Sequence, residues 1–215
     1  MNTRLKIDFV SDISCPWCII GLSSLQQAID SLNGEIGVDL HFQPFELNPA
    51  MPPEGQDLNE HLVEKYKLPP EQLARNRESI RARGEEVGFT FNMDRRSRIY
   101  NTFDAHRLLH WAGLEGKQLA LERALFAAYF TEGENPGAHD VLVRMAGKVG
   151  LDTARAQEIL STDAYAAEVR QQEGYYQRQG IHSVPSIIIN DRHLLQGGQP
   201  PDVFAQALRQ IAAAG

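Results

Sequence analysis

Phe9-Val10-Ser11-Asp12-Ile13-Ser14-Cys15-Pro16-Trp17-Cys18 carries the only two cysteines in the 215-residue chain. Upstream, Leu5, Ile7 and Phe9 alternate, and Val10 and Ile13 add to them, which predicts a buried strand. Pro16 suits the first position of a helix, where its missing N–H would have no partner anyway. From Trp17 onward, Ile19, Leu22, Leu25, Ala28, Ile29 and Leu32 recur at helical spacing. Cys15 therefore falls at the turn between strand and helix, and Cys18 in the first helical turn. The first N–H groups of a helix lack internal acceptors, and its dipole is positive at that end. A thiolate on Cys15 is favoured there, while Cys18, deeper in the turn, stays protonated until needed. The spacing thus predicts an attacking or attacked sulfur, Cys15, and a resolving one, Cys18.

Three plainer readings compete. A structural disulfide across so short a loop would remove little chain entropy, about 2 kcal/mol against about 3 for a fifteen-residue loop. A zinc site needs four ligands and no further cysteine is present, although His106 and His110 have an i, i+4 spacing that could contribute. Two buried thiols without a role would not need to sit together at a helix start. The sequence calls for no metal and no cofactor.

Apolar residues make up 42% of the chain, ordinary for a globular protein with a good core. The net charge of −7 argues against a nucleic-acid surface. No apolar run reaches the length of a membrane span. Met1-Asn2-Thr3-Arg4 runs straight into the first strand with no leader pattern before it, so a cytoplasmic protein is expected. In that compartment a disulfide is usually transient and catalytic.

After the first helix, Asn33-Gly34 breaks the pattern, and Val38, Leu40 and Phe42 alternate with Asp39 and His41 as a second strand. A helix between two strands implies a parallel pair. Pro44 to Pro49 and Pro52 to Gly55 read as irregular loop. Asp57 is expected to cap a helix, with Glu60 completing a capping box. A polar helix spans Pro70 to about Val87, and Phe89-Thr90-Phe91 is expected to be extended. A helix is expected from Ser97 to about Trp111, with Ile99, Phe103, His106 and His110 on one stripe. His106 is either a bonded histidine on a packed face or a cleft residue beside the thiols. Further helices are expected over 117–129, at Val141–Val149, from Leu151 to Leu160 and from about Asp163 to Arg178. Ile187-Ile188-Ile189, a turn at Asn190-Asp191 and His193 to Gln196 read as a hairpin. Pro201 opens a closing helix with Val203, Phe204, Ala207, Leu208 and Ile211 on its inner face.

Val184-Pro185 stands at the mouth of the Ile187 strand. A proline there cannot donate to the ladder, and an X-Pro bond at such a place can be cis. A thiol site needs a short free edge that can pair with a substrate backbone while a mixed disulfide forms. A plain turn proline is the competing reading.

These stretches, with Pro44-Phe45-Glu46-Leu47-Asn48-Pro49, Asn101-Thr102-Phe103-Asp104-Ala105-His106-Arg107-Leu108, Leu125-Phe126-Ala127-Ala128-Tyr129-Phe130 and Ser183-Val184-Pro185, resemble the DsbA superfamily of thioredoxin-fold oxidoreductases. Within it they are similar to the FrnE-like branch, near the 2-hydroxychromene-2-carboxylate isomerases and kappa-class glutathione transferases. The resemblance implies an α/β thioredoxin fold with a large all-helical domain inserted after the second strand. Residues 1–50 and 164–215 would form the thioredoxin-like domain, and 51–163 an insert with a small core of its own. It implies Cys15 as nucleophile, Cys18 as resolving thiol and Pro185, in cis, as the substrate-facing proline. Pro16, Trp17, Val184 and His106 are expected to line the substrate site.

Two departures stand out. Trp17 takes the place of the histidine that better-known oxidising relatives carry between their cysteines, so one stabilising charge is missing and a weaker oxidant is implied. No second cysteine pair follows. The expected function is thiol–disulfide exchange with protein substrates or glutathione, by a monomer or homodimer that binds neither nucleic acid nor membrane. The alternatives are a glutathione-dependent isomerase or transferase, against which the second cysteine argues, and a non-catalytic chaperone-like binding module. Asp12 or Glu46 is a candidate proton relay to Cys18.

Overall fold

The computed structural model describes residues 4–67 and 69–214. Met1-Asn2-Thr3, on which the expectation of no leader rests, lies outside them. Strand β1 (Arg4–Ser11) is followed by helix α1 (Pro16–Ser31) and strand β2 (Gly37–Pro44). β1 and β2 pair in parallel, with Phe9 opposite Phe42. The chain then runs through short β3 (Gln56–Asp57), α2 (Leu58–Tyr66), α3 (Pro70–Glu86) and β4 (Arg98–Ile99). It continues through α4 (Phe103–Leu114), α5 (Gln118–Phe126), a π-helical stretch (Ala127–Thr131), α6 (His139–Lys148), α7 (Thr153–Ser161) and α8 (Ala166–Arg178). It returns as β5 (Ser186–Ile189) and β6 (His193–Gln196), and closes with α9 (Pro201–Ala214). The main sheet has the order β2-β1-β5-β6, with β5 antiparallel to both of its neighbours. This is the thioredoxin fold with a helical insertion.

β1 is buried from Ile7 to Ser11 because both faces are covered. Leu5, Ile7 and Phe9 join α1 and α9 in the main core. On the other face Val10 packs with Phe45, Tyr176 and Ile181. At Phe42 the open side of β2 is met by one side chain: the Gln118 amide accepts from Phe42 N and donates to Phe42 O, both at 3.0 Å. That pairing occupies backbone groups an edge strand would otherwise offer to another chain.

Several expectations shift. Ile13 lies beyond β1, in the turn. Phe89-Thr90-Phe91, expected to be extended, joins no sheet among the described residues, and its two rings meet edge-to-face at 4.8 Å. The helix expected from Ser97 starts at Phe103, because Arg98–Ile99 pairs with Gln56–Asp57 in a small second sheet. Ile99 is therefore off the stripe that carries His106. The 117–129 helix stays α-helical to Phe126 and then widens into the π turn. α8 starts three residues later than expected, after Tyr165 in the left-handed region. The buried side chains of the helical insert are continuous with those of the rest of the chain: Leu109, Leu125, Phe126 and Phe130 belong to the same buried cluster as Ile20 and Leu25. Asp57 does cap α2, accepting from Asn59 N and Glu60 N.

Candidate active site

Cys15 is the N-cap residue of α1 and Pro16 opens the helix. Both cysteines are free thiols. Cys15 is 4% exposed and Cys18 fully buried, while Trp17 beside them is 37% exposed. Cys15 N donates to Asp12 O at 3.0 Å and Cys18 N to Cys15 O at 3.1 Å, so the motif is a tight turn passing directly into helix. Burial pushes the Cys18 thiol well above its ordinary range, and the neighbouring Cys15 and the Asp12 charge push the same way.

Cys15 Sγ lies 3.6 Å from Val184 O, and the Val184–Pro185 peptide is cis. The proline loop is held close by two glycines. A Cβ on Gly21 of α1 would meet Pro185 Cγ at 3.0 Å, and one on Gly198 would meet Trp17 O at 3.2 Å. The structure thus brings Cys15, Pro16, Trp17, Cys18, Val184 and Pro185 together, although Val184 lies 166 positions after Cys18 in the chain.

His106 is placed differently from the expectation of a substrate-lining residue. It is 3% exposed, and its Nε2 donates to Phe45 O at 3.1 Å. The same nitrogen is 3.8 Å from Asp12 Oδ1. It therefore lies behind the cysteine turn, where it lines a cavity rather than the surface around Cys15. His110 turns to Gln172 and the Tyr165 ring. No group of three or more His, Cys, Asp or Glu side chains is placed to hold a metal ion among the described residues.

Two charged residues clamp Ser14, the neighbour of Cys15. Asp12 accepts from Ser14 N at 3.0 Å, from Ser14 Oγ at 2.8 Å and from Leu47 N at 2.6 Å. Burial alone would raise the Asp12 carboxyl, but the nearby His106 ring and the bonds from Ser14 and Leu47 outweigh it and hold it below its ordinary value. From the other side Arg96 Nη2 donates to Ser14 O at 3.3 Å. Arg96 is buried, and its guanidinium lies 4.8 Å from the centroids of both the Tyr129 and Phe130 rings. No carboxylate is within ion-pair distance of it among the described residues. Sequence reasoning missed Arg96 because it sits in an irregular segment with no periodicity. It stands in the run Asp94-Arg95-Arg96-Ser97-Arg98, which reads as a solvated charged stretch and gives no signal that one of its arginines is buried.

Behind Asp12 is a group of buried acids. Glu122 is fully buried, accepts from Ser11 Oγ at 2.7 Å, and its Oε2 has no hydrogen-bond partner among the described residues. Its carboxyl is pushed up to about 7 by burial. Glu46 and Glu173 are both bonded to Arg170, whose guanidinium lies over the Phe103 ring. Burial likewise raises the Glu46 carboxyl, and the Arg170 bond opposes it. A cavity of about 480 Å³ between β2 and helices α4 and α5 ends against Ser11, His106 and Glu122.

The family model of the DSBA-like thioredoxin domain matches residues 6–209. The Bacillus subtilis protein YwbO is 29% identical over 209 residues, covering 97% of this chain and 96% of that one. The crystal structure of a protein described as a probable DsbA oxidoreductase from Streptomyces coelicolor superposes with a TM-score of 0.89 at 30% identity, over 98% of this chain and 90% of that one. The cytosolic disulfide reductase DsbM of Pseudomonas aeruginosa, solved with glutathione, shares the fold. Its TM-score is 0.66 at 21% identity, covering 97% of this chain and 99% of that one.

Proposed function

The chain belongs to the family of DSBA-like thioredoxin domains, and we propose that within it this protein is a thiol–disulfide oxidoreductase. The observation that carries the reading is the pair of free thiols at the start of α1, with Cys15 Sγ 3.6 Å from Val184 O beside Pro185. In the proposed reaction the Cys15 thiolate attacks a substrate disulfide. One substrate sulfur leaves as a thiolate and takes a proton, and the other stays bonded to Cys15. Cys18 then loses its proton and attacks Cys15 Sγ. The mixed disulfide breaks, the second substrate sulfur leaves, and the Cys15–Cys18 disulfide remains. The reverse sequence oxidises a substrate dithiol. Pro185 and Val184 would face the substrate backbone, and Pro16 and Trp17 would supply apolar contact.

The substrates in this reading are protein disulfides and dithiols or glutathione, and the compartment is the cytoplasm. The boundaries that fit it are residues 1–50 and 164–215 for the thioredoxin-like part and 51–163 for the helical insert.

The test is an alkylation titration followed by mass spectrometry in glutathione buffers of graded potential. One two-electron transition confined to Cys15 and Cys18 is expected. Cys18→Ser should lose turnover and accumulate the Cys15 mixed disulfide. A wild-type pair that stays reduced throughout, or a Cys18→Ser enzyme that turns over normally, would overturn the reading and favour glutathione-dependent isomerase chemistry.

A further inference from the structure

If Cys15 and Cys18 exchange disulfides as proposed above, the first step needs a thiolate on Cys15, and any group that favours that anion bears on both the rate and the potential of the pair. Neither residue between the cysteines carries a charge, so a charge must reach Cys15 from outside the motif. A buried cation touches the turn. Arg96 is 8% exposed, and its Nη2 donates to Ser14 O at 3.3 Å. That oxygen belongs to the Ser14–Cys15 peptide, whose N–H donates in turn to Asp12 O. By covalent geometry Cys15 Sγ is at most about 6 Å from Ser14 O, and hence at most about 9 Å from the Arg96 nitrogen.

Arg96 is held there by packing and not by a counter-ion. Its guanidinium lies 4.8 Å from the centroids of the Tyr129 and Phe130 rings. Both rings come from the π-helical stretch after α5, a distortion frequent at functional sites. Asn92 N donates to Phe130 O at 2.9 Å, Tyr129 Oη to Arg98 O at 2.8 Å and Thr131 Oγ1 to Thr90 O at 2.7 Å. The loop carrying Arg96 and the turn carrying its two rings are thereby tied into one unit. Among the described residues no carboxylate is within ion-pair distance of Arg96, and its Nε has no hydrogen-bond partner. Burying a charge without a partner is costly, and contact with two ring faces offsets part of that cost. A cation already neutralised by an acid would do little for a new anion beside it, whereas Arg96 keeps its charge for one.

The other titratable groups around the turn do not supply that charge. On α2, burial and the Lys65 and Arg96 charges hold the His61 ring neutral, bonded to Gln56. Lys65 donates to Leu47 O and Asn48 Oδ1, and its charge faces Asp12. Burial keeps the Tyr66, Tyr129 and Cys18 groups protonated. His106, from α4, faces Asp12. Asp12 binds the N–H and hydroxyl of Ser14, while Arg96 binds its carbonyl.

We propose that Arg96 is a positioning residue for disulfide exchange: it fixes the Ser14–Cys15 peptide through the Ser14 carbonyl and sets an unneutralised positive charge behind Cys15, which favours the Cys15 thiolate and makes the Cys15–Cys18 disulfide more oxidising. It acts through the turn and not on the substrate.

A chromogenic aromatic disulfide, 4,4′-dithiodipyridine, reads the first step. Attack by the Cys15 thiolate breaks the probe's S–S bond and forms a mixed disulfide, and one sulfur leaves as a coloured thiopyridone that takes up a proton. The probe is uncharged near neutral pH, so loss of Arg96 cannot act by repelling or attracting it. Arg96→Met keeps the aliphatic stem and loses the charge and the donor. Its pH–rate profile for this first release should move about one unit to higher pH, the tenfold expected for losing one unit charge at this distance. In glutathione buffers the Cys15–Cys18 pair should become about tenfold harder to reduce, a fall of roughly 30 mV. Arg96→Lys keeps the charge and should stay within about threefold of wild type in both measurements. In the wild type, the Arg96 Nε–H NMR signal should shift along the first-release pH profile, and in Cys15→Ser it should not; this holds the proposal to account even if no Arg96 variant folds. A profile and midpoint that stay in place in Arg96→Met while only the melting temperature drops, an Arg96→Lys protein displaced as far as Arg96→Met, or an Arg96 signal blind to Cys15 would overturn the proposal. If the wild-type pair shows no transition in glutathione buffers, the reading of it as exchanging thiols fails instead.

Discussion

In front of the cysteine turn, Pro16, Trp17 and Val184 form a partly exposed apolar surface around Cys15. Behind it, Asp12, His106, Glu122, Glu46 and Glu173 are buried charged or titratable groups within one small volume. The front comes from two segments, residues 15–18 and 184–185, and contains no charged side chain. The back draws on five: the turn after β1, the loop after β2, α4, α5 and α8. An apolar front suits varied partners, since flat hydrophobic contact is tolerant of what it meets. A charged interior suits a fixed electrostatic setting, because low dielectric strengthens each interaction and sealing keeps it constant.

The largest effect that would sharpen the contrast is on stability, from the back. The Glu122 carboxyl is raised to about 7 by burial, against about 4.3 for an unfolded chain. The folded protein therefore prefers Glu122 protonated. Stability is full below the unfolded value and falls as pH rises toward and through the folded one, by up to about 4 kcal/mol. Glu122→Gln keeps an acceptor for Ser11 Oγ and cannot ionise. It should match wild type at and below about pH 4 and exceed it by roughly 2–4 kcal/mol above pH 8 in denaturant titrations. Equal pH dependence in both proteins would show that Glu122 is not a titrating member of the cluster, and the back would lose half its distinctness.

A smaller effect comes from the seam between α1 and the proline loop. Gly21→Ala puts a methyl 3.0 Å from Pro185 Cγ, so the ring must give by a few tenths of an ångström. Alanine is favoured over glycine inside a helix by about 1 kcal/mol, which offsets the crowding. Global stability should stay within about 1 kcal/mol, while exchange slows by roughly three- to tenfold because the loop facing Cys15 has moved. Unchanged exchange kinetics would mean that the position of Pro185 is not part of the working front.

The two sides also differ in how far the sequence reveals them. Cys15 to Cys18 is legible because strand alternation, a proline at the first helical position and the helix period meet within ten residues. Val184-Pro185 is legible for the same local reason, standing before a β-branched run. The back is not. Glu122 lies in a segment that reads simply as an apolar helix, and nothing in its neighbours tells that Ser11, 111 residues earlier, bonds it. His106 is visible as a histidine on a packed stripe, but whether it faces a cleft or Asp12 depends on where α4 lands against β2. Arg96 follows a stretch without periodicity. The small β3–β4 sheet is hidden because two residues per strand give no alternation to detect. Single-element patterns are carried by the chain itself, whereas a charge cluster exists only after distant elements have packed.

The smallest expected effect tests the front directly. Trp17 is 37% exposed, and its neighbours in the turn are held by backbone bonds that do not involve its ring. Trp17→Ala should therefore cost about 0.5–1 kcal/mol of stability at most. It removes a large flat apolar face beside Cys15, and its influence should depend on the substrate. A small aromatic disulfide reaches the sulfur without needing an extended surface, so its first-release rate should change less than about twofold. A disulfide within an unfolded polypeptide lays neighbouring side chains on that surface, and its rate should fall by roughly threefold, the scale of losing one aromatic contact. If both substrates slow equally, Trp17 acts on the cysteine turn rather than on the partner. If neither slows, the apolar surface that receives a protein substrate must be sought beside Val184 instead.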